Sequence, residues 1–192
     1  MKLESGGPDG AKQKNTRKDA GVTPDEAARL SALLKAAKTE SVAVDAIRPN
    51  PRNARRHPPK QITVLAESMR KFGFTNPVLV DENLEILAGH GRYAAARSLG
   101  LAEILIIRLM HLSPAEKRAL ALADNKIAEL GSWDPDQLKE TLTLLVHPSP
   151  ELSFDLDITG FDTNEIESIL HPATPRRLDP ADQPPTSGPV TA

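Results

Sequence analysis

The 192-residue sequence predicts a small α/β (α+β) fold over residues 41–131: a mixed β-sheet flanked by helices, with further helices added after it. Three observations point there. Short β-branched runs such as Ile104-Leu105-Ile106-Ile107 alternate with longer stretches of helical apolar spacing, as they do in α/β chains. At Ala88-Gly89-His90-Gly91-Arg92 an apolar strand breaks at two glycines and runs straight into an alanine-rich helix. Apolar residues make up 39% and aromatics only 3%, so the core must be aliphatic and modest.

The elements follow in order. Residues 1–22 lack periodicity and read as a disordered arm. Thr23-Pro24-Asp25-Glu26 is a capping box with proline at the first helical position, opening an N-terminal helix over residues 23–40 that carries Leu30, Leu33 and Leu34. Residues 41–47 alternate as a strand through Val42 and Val44, until Pro49-Asn50-Pro51 ends it by withholding ladder donors. Ile62, Leu65, Ala66, Met69 and Phe72 lie on one helical face, and Gly73 stands where a left-handed cap would stop it. Val78-Leu79-Val80 and Leu84-Glu85-Ile86-Leu87 flank Asp81-Glu82-Asn83 as a hairpin whose second strand feeds the glycine turn. A helix from Arg92 to Gly100 follows, then the apolar strand at 104–107, expected at the sheet's centre and buried on both faces. Ser113-Pro114-Ala115-Glu116, Asp134-Pro135-Asp136 and Asp162-Thr163-Asn164-Glu165 each start a further helix, the last two in an acidic extension over residues 132–170. Six prolines among residues 171–192 mark a disordered Pro-rich tail.

Charge is segregated although the net value is only −2. Residues 48–71 hold Arg48, Arg52, Arg55, Arg56, Lys60, Arg70 and Lys71 against Glu67 alone, a run that can face the phosphates of DNA without reading sequence. Arg48, Arg52, Arg55, Arg56 and Lys60 are the candidate contacts, and a plain solvated face is the alternative. Residues 129–167 reverse the balance and would repel nucleic acid. With no cysteine the chain has no disulfide, thiolate metal site or thiol nucleophile. No stretch approaches the roughly 20 apolar residues of a spanning helix, so no membrane contact and a cytoplasmic location are expected.

The glycine turn suits an anion. Glycine lets a ligand approach the backbone, and the first N–H groups of a helix lack intrahelical partners and carry the positive end of its dipole. Gly89 and Gly91 supply that geometry, Arg92 adds a fork of charged donors, and His90 can hydrogen-bond or titrate beside the same group. A simple strand-to-helix turn is the alternative.

The order of the pieces resembles the amino-terminal domain of the ParB/sulfiredoxin superfamily across residues 41–131. Asn50-Pro51-Arg52, Leu65-Ala66-Glu67-Ser68-Met69, Asn76-Pro77-Val78-Leu79-Val80, Gly89-His90-Gly91-Arg92-Tyr93 and Leu99-Gly100 carry the likeness, and Asp124-Asn125-Lys126-Ile127-Ala128 is similar to the family's Glu-Asn-x-Gln-Arg. The resemblance implies CTP or another NTP with Mg²⁺ as cofactors. Gly89, Gly91, Arg92 and Arg52 would face the nucleotide, and Asn125 with Asp124 would stand near the cation; a polar pair on an outer helix face is the alternative for the last two. His90 replaces the family's acidic residue and Gly91 its first arginine, and Lys126 to Ala128 lack the Gln-Arg pair, which leaves binding better supported than hydrolysis, a weak NTPase at most. Sulfiredoxin chemistry needs a cysteine that is absent. Chromosome-segregating ParB proteins follow this domain with a helix-turn-helix reader, and too short and too acidic a remainder stands here, so no reader is expected. Trp133-Asp134-Pro135 and Thr159-Gly160-Phe161-Asp162 look like the ParB-like region found with DNA methyltransferases of phages and mobile elements.

The leading expectation is thus a nucleotide-binding, DNA-associated accessory to DNA modification, partition or a mobile element, with a DNA methyltransferase or another phage protein as partner and a homodimer open. A metal-dependent nuclease using Asp81, Glu82, Asp124 and His90, or an NTP-dependent kinase, is the enzymatic alternative. An adaptor that docks a partner through Leu138, Leu142 and Leu145 is the third.

Overall fold

A computed structural model describes residues 22–146 and 155–172. The disordered arm expected before residue 22 and all but the first two residues of the expected tail lie outside this range.

The chain divides into two units, Met1–Lys38 and Thr39–Ala192. In the first, α1 (Pro24–Ala36) begins as its capping signal predicts: the Thr23 hydroxyl accepts the Glu26 N–H at 3.2 Å. It buries none of its residues and is shorter than the helix expected to residue 40, because Thr39 already belongs to a strand.

The second unit is built on a four-stranded mixed sheet in the order β1-β4-β2-β3, where β1 is Thr39–Ala43, β2 Val78–Val80, β3 Ile86–Ala88 and β4 Glu103–Arg108. β1 runs antiparallel to β4, β4 parallel to β2, and β2 antiparallel to β3. The apolar run at 104–107 is therefore central, as expected. It is not dry on both faces: Ile104 and Ile106 are buried, but Leu105 and Ile107 are half-exposed. The strand expected over 41–47 ends early, because Ala102 O accepts the Val44 N–H and residues Val44–Ala46 tighten into a 3-10 turn that buries Val44 and Ile47.

α2 (Pro59–Phe72) stops at Gly73, whose φ of 82° a side chain would resist. α3 (His90–Ser98) packs against α2 through a small-residue face; Ala95 and Ala96 are fully buried, and Ala96 joins Val78, Val80, Ile86, Tyr93 and Ile106 in the core. Small side chains let the helix axes approach closely. Beyond the sheet lie α4 (Pro114–Ala128), α5 (Pro135–Val146) and α6 (Thr163–Leu170), with reciprocal capping boxes at Ser113/Glu116 and Asp162/Glu165. α5 packs on α6, burying Leu142 and Ile166, and the Trp133 and Phe161 rings meet at 5.5 Å. Leu142 of the leucine stripe is thereby spent on the chain's own packing, and Leu138 and Leu145 are half-buried. Among the described residues no helix is long and apolar enough to cross a membrane.

Candidate functional site

β3 ends at Ala88, and Gly89 turns the chain at φ 99°, a left-handed conformation available to glycine at little cost. α3 begins at once, at His90 rather than at Arg92. Gly91 has a different reason to be glycine. A Cβ there would stand 3.1 Å from both His57 Nδ1 and Leu65 Cδ1, so α2 and the loop before it press on the helix start.

Into the space above this turn projects the second half of α4. Gly89, His90, Gly91 and Arg92 line one cleft of about 200 Å³ together with Asp124 and Asn125. Its remaining wall includes Asn53, Arg55, His57, Gln61 and Leu65. The two motifs that stand some thirty positions apart in sequence thus share one opening.

Arg92 is half-buried, and among the described residues its Nε has no hydrogen-bond partner, while Nη2 donates to Pro77 O at 3.3 Å. Burial pushes the guanidinium below its ordinary range, and the charge of Asp124 pulls it back up. A buried donor without a partner is costly, and an anionic acceptor would relieve it. His90 is committed differently: its Nε2 accepts the Asn50 N–H at 3.2 Å. Burial, seconded by His57, lowers its pKa, so the ring is a neutral acceptor that ties the 50–55 loop to the start of α3.

Asn125 donates from Nδ2 to Ala121 O at 2.8 Å, which leaves its Oδ1 as an acceptor, and Asp124 lies exposed at the rim. One carboxylate and one carboxamide oxygen are hard donors that suit Mg²⁺ arriving on phosphates, since that ion keeps several waters and takes few protein ligands. Among the described residues no group of three or more His, Cys, Asp or Glu side chains is placed to cage a metal. Of the carboxylates considered for cleavage, Asp124 lines the cleft, but Asp81 and Glu82 do not: they hold Lys117 Nζ at 3.1 and 2.6 Å.

Two expectations need correction. Arg52 does not line the cleft of the glycine turn; it lies in an adjoining groove that shares Asn53, Arg55 and Asn125 with it, because the loop turns at Asn50, whose Oδ1 accepts the Arg52 N–H at 2.8 Å. The basic run is also not one open face. Arg48, Arg52 and Arg56 are exposed, but Arg55 pairs with Glu129 at 2.5 Å and Lys60 with Asp162 at 3.6 Å. Opposite charges segregated in sequence have met in space. Asn53, His57 and Gln61 escaped sequence reasoning; the only hint was the i,i+4 spacing of His57 and Gln61, whose Nδ1 and Oε1 lie 3.0 Å apart.

Comparisons with known proteins bear on the family and the fold. The ParB N-terminal domain matches residues 29–126, and the ParB-methyltransferase HTH domain matches residues 136–192. The second match overturns the expectation that no helix-turn-helix region follows. Segment charge bears on partners rather than on fold, so the acidity of these residues is no argument against such a region. α5 and α6 fall inside this match except for the first residue of α5, and the match runs on past the described residues. The ParB-like nuclease domain-containing protein YnaK of Escherichia coli K12 is 46% identical over 70 residues, which is 36% of this chain and 80% of that protein. A probable plasmid-partitioning protein ParB of Thermus thermophilus is 38% identical over 96 residues, 48% of this chain and 31% of that one. The chain thus spans under a third of that relative's length. Among solved structures, the C-terminally truncated chromosome-partitioning protein ParB from Caulobacter crescentus complexed with CTP-gamma-S superposes with a TM-score of 0.56 at 18% identity, covering 69% of this chain and 77% of that one. At that identity the likeness is one of fold.

Proposed function

This chain belongs to the ParB family through its N-terminal domain, and on that premise we propose that it is a nucleotide-binding, DNA-associated protein that takes CTP or another NTP with Mg²⁺ in the cleft between the start of α3 and α4. The observation that carries the reading is the convergence of the glycine turn and the Asp124-Asn125 pair on one opening, where the Arg92 guanidinium has an unsatisfied donor. The backbone N–H groups at Gly91 and Arg92 and the Arg92 side chain would hold phosphate oxygens, and Asn125 and Asp124 would steady the cation. The Caulobacter protein of the same fold was solved with a CTP analogue, which favours a cytidine nucleotide as the first ligand to try.

Binding rather than turnover is the function this cleft supports. His90 is neutral and already accepts a backbone hydrogen bond, so it is not free to activate a water. The match to a methyltransferase-associated helix-turn-helix domain favours service to a DNA-modification system, with DNA and a methyltransferase as partners and a second copy of the chain as a further one.

Thermal unfolding with CTP, ATP and GTP in the presence of Mg²⁺ tests the reading. A true site stabilises the folded state by mass action, by about 2.7 kcal/mol at a hundredfold excess over Kd. The expected outcome is a concentration-dependent rise for at least one nucleotide that Arg92→Gln abolishes. No rise with any of the three overturns it.

A further inference from the structure

α4 buries none of its residues, yet one of its faces is not bland. Arg118, Leu122, Asn125 and Glu129 recur every three or four positions and Lys126 follows Leu122 by four, so the five share a stripe along the helix, which faces the 50–55 loop across a groove of about 380 Å³. Arg52 and Arg55 come from the loop, Arg118 and Lys126 from the stripe, and against these four cations stands one acid. Glu129 is shared between Arg55 at 2.5 Å and Lys126 at 3.0 Å. Neither Arg52 nor Arg118 makes an ion pair among the described residues, and the loop that presents Arg52 is held in shape by the Asn50–His90 hydrogen bond.

We propose that this stripe of α4, with Arg52 opposite it, is the contact of the protein with the phosphate backbone of duplex DNA. The inference rests on the DNA half of the function proposed above; of the contacts in the basic run it keeps Arg52, and it adds Arg118 and Lys126. Three features select that ligand. The excess of cations calls for a polyanion. Arg118 and Lys126 are eight positions apart, about 12 Å along the helix axis, a span over which duplex DNA offers several phosphates. The wall between them is Ala54, Ala121 and Leu122, with no aromatic ring on which an unpaired base could stack, which favours a duplex over a single strand. Arg48, Arg56 and Lys60 lie outside the groove.

The test uses the full chain and a duplex of arbitrary sequence, with Kd measured by fluorescence anisotropy between about 50 and 200 mM salt. Each phosphate contact contributes close to one to the slope of log Kd against log salt. Arg118→Gln with Lys126→Gln should weaken binding about tenfold at low salt and reduce the slope by about 2. Arg56→Gln with Lys60→Gln should keep the slope of the unaltered protein. Leu122→Arg, which adds a cation on the same exposed face, should steepen it by about 1, a gain that a misfolded variant would not show. An unchanged slope in the Arg118/Lys126 variant, loss of binding in the Arg56/Lys60 variant instead, or no duplex binding by the unaltered protein overturns the proposal. Loss of the nucleotide-induced melting shift without a change in slope also overturns it, since the groove would then belong to the nucleotide cleft. If no nucleotide shifts the melting temperature at all, the cleft reading falls and the salt slopes still decide this one.

Discussion

The two walls of the cleft are held in opposite ways. At the start of α3 the backbone is pressed from one side by His57 and Leu65, turned through a left-handed glycine, and followed by Ala95 and Ala96 with no exposed surface. α4 buries no residue and leaves Leu122 and Ile127 63% and 65% exposed. Its first turn is tied to the β2–β3 turn by Lys117 on Asp81 and Glu82, and its far end to the loop by Arg55 on Glu129. One wall is set by packing and the other by charge, so the phosphate side of the proposed site is rigid, and the cation side depends on ion pairs of which the exposed one, Arg55 with Glu129, is weakened by solvent and salt.

Substitutions at the packed wall should cost most. Gly91→Leu drives a side chain into His57 and Leu65 and should destabilise by about 3 kcal/mol in denaturant unfolding; a cost within experimental error would mean that α2 can retreat and that packing does not set this wall. Gly89→Ala adds only a methyl group but forces an L residue to φ 99° and brings its Cβ to 2.8 Å from Arg92 Nη2. A loss of about 1–2 kcal/mol is expected, together with weaker nucleotide binding as the guanidinium shifts, measurable in the same melts.

The charged wall answers to pH. Burial alone would raise the Asp81 carboxyl, but the Glu85 and Asn83 N–H groups and the Lys117 ammonium outweigh it and hold the group below its ordinary range. The unfolded chain then binds the proton more readily, so this contribution is complete above the ordinary Asp range near about pH 4 and is lost as pH falls through the folded value. Unfolding free energy measured from neutral pH downward should decline over that interval. Asp81→Asn should flatten the decline, and an unchanged acid slope in the variant would remove Asp81 as its source. The smallest effect belongs to the exposed face beyond α4: Leu130→Gln, at a residue 72% exposed, should stay within about 0.5 kcal/mol of the unaltered protein. A larger loss would show that this face is covered.

Much of the fold was legible in advance for a local reason. Ser113 and Glu116, or Asp162 and Glu165, satisfy one another within a single helical turn, so the pattern and its cause lie in the same few residues. The hairpin at Asp81 and the cap at Gly73 are of the same kind. The candidate site was legible only in halves. The glycine turn could be read as an anion site from backbone chemistry alone, and the Asp124-Asn125 pair only through family likeness. The helix-turn-helix region was not legible in the shortness and acidity of the remaining segment, because neither property specifies architecture.

By itself the chain determined where its capped helices begin, that its core is aliphatic, and that its charge is divided between two segments, because these depend on neighbours within about four or five residues or on composition. Only the tertiary structure decided that His90 binds the loop at Asn50, that Gly91 answers to His57 and Leu65, that Arg52 faces a groove beside the cleft, and that Arg55 and Lys60 find acids. Each of these joins residues brought together by sheet order and helix packing, and the energy of such a pair has no counterpart in the linear spacing of its members.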